Sequence, residues 1–416
     1  MIRFPRAAKI LRYVLVASTV ATLLALLSWY FFLQSQENAL LATDIARGVG
    51  IAPPSFGGLF GSTYENITAN TSDFEAGASA SSTAAMPRLW QITKTPVAGA
   101  GFMPSTAISS STIRFVERGT GYVLEADPKS GEFARITNTL VPRVYEALIG
   151  ANGAIILRGV NEAGFITTSA GLATSTMATS KAPVALTLST LPQNIQSIAL
   201  SPGGENIVYL RREEDGGSSV VQSTWKGAGS KQLASLGISG WHIRWLSDER
   251  IFLIQNPAEG AANNVYELKK NGALSRFLSG ANGLTILPRA NSSAYLSSVA
   301  GFILSARTNA NASTVLPIRT IADKCVWSPK EEFVAYCAVP QVLPENGALA
   351  GRLRGEMHTS DTWWRADVNA GSAELLYAPS NTLQIDSENP SIDAGGEYIS
   401  FMNTRDKSLW LLRIAE

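Results

Sequence analysis

The chain reads as an all-β protein: a β-propeller of seven blades, each of four antiparallel strands, preceded by one N-terminal transmembrane helix and a flexible tether. Three observations predict this. A nine-residue unit recurs as Ser201–Tyr209, Ser328–Tyr336 and Asp393–Phe401, with a looser copy at Leu287–Tyr295. Each copy is a polar turn feeding a short apolar strand, and recurrence at roughly 40 residues marks propeller blades. Between the copies, apolar and polar residues alternate in short runs bounded by turn formers, as half-buried strands do. Ahead of all this, Tyr13–Leu33 is almost wholly apolar and carries no charge.

The elements follow in chain order. Residues 1–12 form a cytoplasmic basic segment with Arg3, Arg6, Lys9 and Arg12. Residues 13–33 span about 30 Å at about 1.5 Å per residue, the thickness of a hydrocarbon core. Trp29 and Tyr30 sit near the far end, where aromatic rings favour the interface. Basic residues before the span place the N-terminus in the cytoplasm and everything after it outside, as a single-pass inner-membrane protein. A cleaved signal peptide would have a shorter core and a small-x-small site, which Gln34-Ser35-Gln36-Glu37 does not offer. Residues 34–87 are a juxtamembrane helix stopping near Gly48, then a tether rich in Gly, Ala, Ser and Thr, too poor in large side chains to offset its ordering entropy.

The propeller occupies 88–416. Blade one is expected at Val97–Phe102, Ile113–Glu117, Tyr122–Ala126 and Phe133–Ile136. Blade two includes Val144–Leu148 and Ala154–Arg158, and blade three Ile195–Leu200, Asn206–Leu210 and Ser219–Trp225. Blade four takes Trp241–Trp245, Arg250–Ile254, Asn263–Leu268 and Leu274–Leu278, and blade five lies within 284–317. Blade six takes Lys324–Trp327, Phe333–Cys337, Thr362–Val368 and Glu374–Tyr377. Blade seven has Pro390–Ile392, Tyr398–Met402 and Leu409–Ile414, one strand short, and Arg88–Thr93 is the natural donor of the fourth. Closing the ring with strands from both ends removes open sheet edges. The interval between the turns at 328 and 393 is the longest, and it holds residues 340–361, which show no strand pattern and read as an insertion between the second and third strands of blade six.

The turns carry a resemblance. Ser201-Pro202-Gly203-Gly204 before Ile207-Val208-Tyr209, and Ser328-Pro329-Lys330-Glu331 before Val334-Ala335-Tyr336, are similar to the TolB-type propeller repeat and its WD-type relatives, in which Ser-Pro-Asp-Gly precedes Ile-Ala-Tyr or Ile-Ala-Phe. Gly203, Lys330 and Gly395 stand where the family has Asp, and Ala394 where it has Pro. The resemblance implies an extracytoplasmic, protein-binding module.

Chemistry-bearing residues are sparse. Cys325 and Cys337 flank the blade-six turn at near-opposed positions on adjacent strands, within disulfide reach; the alternative is two small buried hydrophobes. Of the two histidines, His242 shares a strand face with Arg244, opposite Trp241, Ile243 and Trp245, and reads as an inter-blade residue; His358 lies in the insertion. Neither has an evident nucleophile or carboxylate partner, so no catalytic, cofactor-binding or metal-ligating set is expected. The acidic run Glu213-Glu214-Asp215 lacks the spacing of a calcium loop and reads as a solvated turn. Arg352, Arg354, His358, Trp363 and Trp364 are the partner-binding candidates, because Trp and Arg are enriched at binding hot spots; core packing is the competing reading of both tryptophans.

A net charge of +1 with no basic stripe argues against nucleic acid. The expected function is a non-enzymatic scaffold that binds an envelope protein through the face bearing the insertion, so that deleting 342–358 abolishes binding and spares the fold. The alternatives are a glycan- or small-ligand-binding sensor and a propeller-type glycan-active enzyme.

Overall fold

The computed structural model describes residues 86–416 except 105–110, 175–181, 259, 270, 309–312, 346–347, 381 and 416. The predicted span Tyr13–Leu33 and the tether lie outside the described residues. No helix among the described residues is long and apolar enough to cross a membrane.

Seven four-stranded antiparallel sheets form among the described residues. Blade one is Val97–Phe102, Ile113–Glu117, Val123–Ala126 and Phe133–Arg135. Blade two is Val144–Ile149, Ala154–Val160, Ile166–Leu172 and Leu188–Thr190. Blade three is Ile195–Leu200, Asn206–Arg212, Ser218–Thr224 and Lys231–Leu236. Blade four is Trp241–Ser247, Arg250–Gln255, Ala262–Leu268 and Leu274–Asn282. Blade five is Thr285–Pro288, Tyr295–Val299, Ile303–Arg307 and Ser313–Arg319. Blade six is Cys325–Trp327, Val334–Pro340, Asp361–Asp367 and Ser372–Tyr377. In blade seven, Ser387–Ile392, Tyr398–Asn403 and Leu409–Arg413 are completed by Leu89–Thr93, which pairs with the last strand in the register Leu89↔Leu412 and Trp90↔Leu411. The ring therefore closes with the strand expected to close it.

The recurrent turns owe their shape to their first residue. Ser201 Oγ accepts from Asn206 N at 3.1 Å, and Ser328 Oγ accepts from the amides of Lys330 and Glu331. Asp393 does more, taking the amides of Glu397 and Tyr398 on one oxygen and that of Gly395 on the other. A short side-chain acceptor bonding backbone two to five residues ahead is what selects Ser or Asp there. Gly204 adopts φ +85°, a region costly for other residues.

Apolar clusters sit between neighbouring blades. Between blades six and seven, Trp363 stacks on Phe401 with ring centroids 5.1 Å apart, among Val334, Ala338, Ile399 and Leu412. Trp363→Ala removes a fully buried ring and is expected to cost about 3–5 kcal/mol, read from the denaturant midpoint; a loss below about 1 kcal/mol would mean that this seam is loosely packed. Between blades five and six, Cys325 and Cys337 face each other directly and a disulfide joins them. Closing so short a loop contributes about 3 kcal/mol on the chain-entropy account.

Three strands escape the sequence pattern: Ile166–Leu172, Leu188–Thr190 and Lys231–Leu236. The last two are outermost strands with mostly exposed or half-exposed residues, and the first is built largely of Thr, Ser, Ala and Gly, so neither apolar alternation nor bulk marks them. Lys324, expected in the first strand of blade six, instead ends the 3-10 turn Ala322–Lys324 that leads into it.

Residues 341–360 join the second and third strands of blade six and contain α1, Ala348–Leu353. Ala348 and Leu349 pack on Phe302 and Ile321, which pins the insertion to blade five and to the link from blade five to six. In an antiparallel blade, second-to-third-strand loops and the links to the next blade leave on one face. The insertion, the link 378–386 and the blade-seven loop 404–408 thus meet.

Candidate functional site

Under the insertion lies a buried ionic cluster. Lys324 Nζ donates to Asp361 Oδ2 at 2.6 Å, to Asp386 Oδ1 at 2.7 Å and to Thr359 Oγ1 at 2.6 Å. Asp361 opens the third strand of blade six, and Asp386 ends the link into blade seven. All three charged groups are fully buried. Arg352 reaches down from α1, with Nη1 2.5 Å from Asp386 Oδ1 and Nη2 donating to Ser387 O at 3.1 Å. On the other side Thr404 donates to Asp386 Oδ2 at 2.6 Å. Burial alone would push the Asp386 carboxyl up; Lys324, then Arg352, outweigh it and hold the group well below the usual carboxylate range. Burial lowers the Lys324 ammonium more than the two carboxylates raise it.

Next to the cluster, and touching it through Thr359, lies a cleft of about 770 Å³. Val342, Leu343, Pro344, Met357 and Leu383 give it an aliphatic wall, and Gln341, Ser360, Gln384, His358 and Arg405 a polar one, which Glu345 and Glu356 also join. Its volume falls in the range of small-ligand sites, about 300–1,000 Å³. His358 is half-buried, with Nδ1 2.9 Å from Thr404 Oγ1 and 3.4 Å from Asp386 Oδ2. Arg405, next to Thr404 in sequence, donates to Thr359 O at 3.3 Å, and both Arg405 and His358 line the cleft.

The structure divides the five predicted binding residues. Arg352 and His358 join the cluster. Arg354 is exposed and ion-paired with Glu356 at 2.7 Å. Trp363 is buried and unavailable to a partner, which corrects its place among the candidates. Trp364 turns to the opposite seam and packs beside the disulfide, with Nε1 donating to Thr362 Oγ1 at 2.9 Å. Two further expectations need correction. His358 does have a carboxylate partner, Asp386. Deleting 342–358 cannot leave the fold untouched, because it takes Arg352 from Asp386 and Leu349 from Phe302.

His242 stands apart. Its Nδ1 lies 3.4 Å from Ser197 Oγ of blade three. His242 is exposed by surface area, yet the crowding of the inner strands, then Arg244 beside it, lower its imidazole to about 4. Arg244 in turn bonds Asp323 at 2.6 Å.

The cluster was hidden from sequence reasoning because its members come from separate turns and links. Lys324, Asp361, Asp386 and Thr404 follow no motif spacing, and the one signal was polar residues beside strand starts.

No protein-family model matches the chain, and no curated protein is similar to it in sequence. Among solved structures, it resembles an oligogalacturonate lyase from Vibrio parahaemolyticus at 9% identity, covering 77% of this chain and 98% of that one, with a TM-score of 0.45. It also resembles an oligogalacturonate lyase in complex with manganese at 10% identity, covering 80% and 99%, with a TM-score of 0.47. The seven-bladed propeller stands, and the TolB-type resemblance is carried no further than the fold. Both neighbours are named as enzymes, which runs against the expectation of a non-enzymatic protein scaffold, and that expectation is not carried further. At such identity the likeness concerns the fold alone, and what the site does must be argued from its residues. Manganese does not fit them: no group of three or more metal-ligating side chains occurs among the described residues, and Lys324 already occupies the space between Asp361 and Asp386.

Proposed function

We propose that the protein acts on a carboxylate-bearing glycan in the cleft between the blade-six insertion and blade seven. The observation that carries this reading is the lining of one cleft: a half-exposed histidine backed by an anionic aspartate, with an arginine in the same cleft. Arg405 supplies a fixed positive charge whose planar donors suit a carboxylate. Gln341, Ser360 and Gln384 offer the donors and acceptors that sugar hydroxyls need, and the aliphatic wall accepts the C–H faces of a ring.

Oligogalacturonate, the substrate in the names of both solved neighbours, is the first glycan to test. The full-length protein is titrated with it and with neutral oligosaccharides of equal length, and the products are separated chromatographically. Binding of the acidic glycan, with shorter products accumulating, is the expected result. Arg405→Ala is expected to weaken that binding about 10- to 100-fold, the worth of a hydrogen bond to a charged group. Equal binding of neutral and acidic glycans, or of neither, would refute the reading.

The basic-then-apolar order of the N-terminus supports a membrane anchor with the propeller outside the cytoplasm, and the Cys325–Cys337 disulfide suits an oxidising compartment. Protease added to spheroplasts is expected to digest the domain, and full protection would reverse the orientation.

A further inference from the structure

His358 is one of two histidines in the chain, and the one that reaches the cleft. Its neighbours decide where its ring carries a proton. Thr404 has a single hydroxyl proton and gives it to Asp386 Oδ2 at 2.6 Å. The Thr404 oxygen is then an acceptor, so its 2.9 Å contact with His358 Nδ1 requires a proton on Nδ1. The 3.4 Å approach of Nδ1 to Asp386 Oδ2 requires the same. Asp386 is held as an acceptor by the donors around it: Lys324 and Arg352 on Oδ1, and the Thr359 amide on Oδ2 at 3.2 Å. A neutral imidazole protonated at Nδ1 carries its lone pair on Nε2, the nitrogen turned away from this network.

We propose that Asp386 and Thr404 are positioning residues that lock His358 in the Nδ1-protonated form, making Nε2 a standing proton acceptor for whatever occupies the cleft. This rests on the reading of the cleft as the working site. Lys324 and Arg352 act one step further back, fixing the carboxylate on which the tautomer depends. The event at Nε2 is a proton transfer: the imidazole gains the proton and the positive charge, the electron pair of the broken O–H or C–H bond stays on the ligand, and Asp386 stabilises the imidazolium.

The tautomer can be read without any ligand. Full-length protein labelled with ¹⁵N-histidine gives four ring nitrogens, and His242→Gln assigns two of them. At about pH 8, His358 is expected to show a protonated Nδ1 and a bare Nε2. Thr404→Val is expected to shift the tautomer ratio at least about five-fold toward Nε2–H, the equivalent of one hydrogen bond, and Thr404→Ser to restore it. A wild-type His358 protonated at Nε2 would overturn the proposal, as would a ratio unmoved in a folded Thr404→Val protein. Failure of the glycan reading would show instead in the titrations, with the tautomer unaffected.

Discussion

Replacing Lys324 by methionine is expected to cost about 3–5 kcal/mol of folding stability, the toll of breaking a buried ion pair by removing one partner. Lys324, Asp361 and Asp386 are fully buried, and the ammonium bonds both carboxylates at 2.6–2.7 Å. Without it, Asp361 loses its cation and Asp386 keeps only Arg352. Attraction between the ions is not by itself a source of net stability, since taking each from water is costly. The loss comes from leaving two carboxylates without their shared cation. A triple variant, Lys324→Met with Asp361→Asn and Asp386→Asn, is therefore expected to recover part of the deficit. Acid adds a second signature. The folded-state value of Asp386 lies below its ordinary one, so its contribution is complete above about pH 4 and is lost as pH falls below that value. The wild type should lose stability with acidification from about pH 4 downward, and Lys324→Met should lose less over the same range. Denaturant midpoints measured across pH settle both points; a cost under about 1 kcal/mol would mean the cluster is hydrated.

The ring was legible because its signals are local and repeated. The Ser201, Ser328 and Asp393 turns each carry their own capping acceptor, and the second strands that follow are among the most buried in the molecule, so alternation and bulk mark them. The closing strand Leu89–Thr93 could be assigned because blade seven ends one strand short. The Cys pair was legible for the same reason, since positions equidistant from a hairpin turn face each other. The site was not. Asp361 and Asp386 are 25 residues apart in sequence, and their meeting depends on two adjacent blades presenting their same-face ends to each other. Trp363 reads from sequence as a binding candidate because Trp is enriched at hot spots, with core packing as the competing reading. The register of its strand instead sends it into the seam against Phe401.

His358→Gln is expected to lower glycan turnover by about 10²–10⁴-fold, the usual contribution of a positioned general base, with folding stability changed by less than about 1 kcal/mol. The two effects separate because His358 sits at the rim, half-exposed, and its bond to Thr404 is one that a glutamine amide can replace. What the amide lacks is a lone pair that can take a proton near neutral pH. Binding of the acidic glycan should survive, because the proposed holder of the carboxylate is Arg405 and not the imidazole; a variant that binds but does not turn over is the signature of a lost proton acceptor. Arg405→Ala should show the complementary pattern, with weakened binding and the turnover of bound glycan less affected. Single-turnover rates and titrations on both variants make the comparison direct. If His358→Gln loses binding and turnover in parallel, the imidazole is a ligand contact and the proton acceptor lies elsewhere in the cleft. If neither changes, the aspartate-backed histidine serves the packing of the insertion against blade seven.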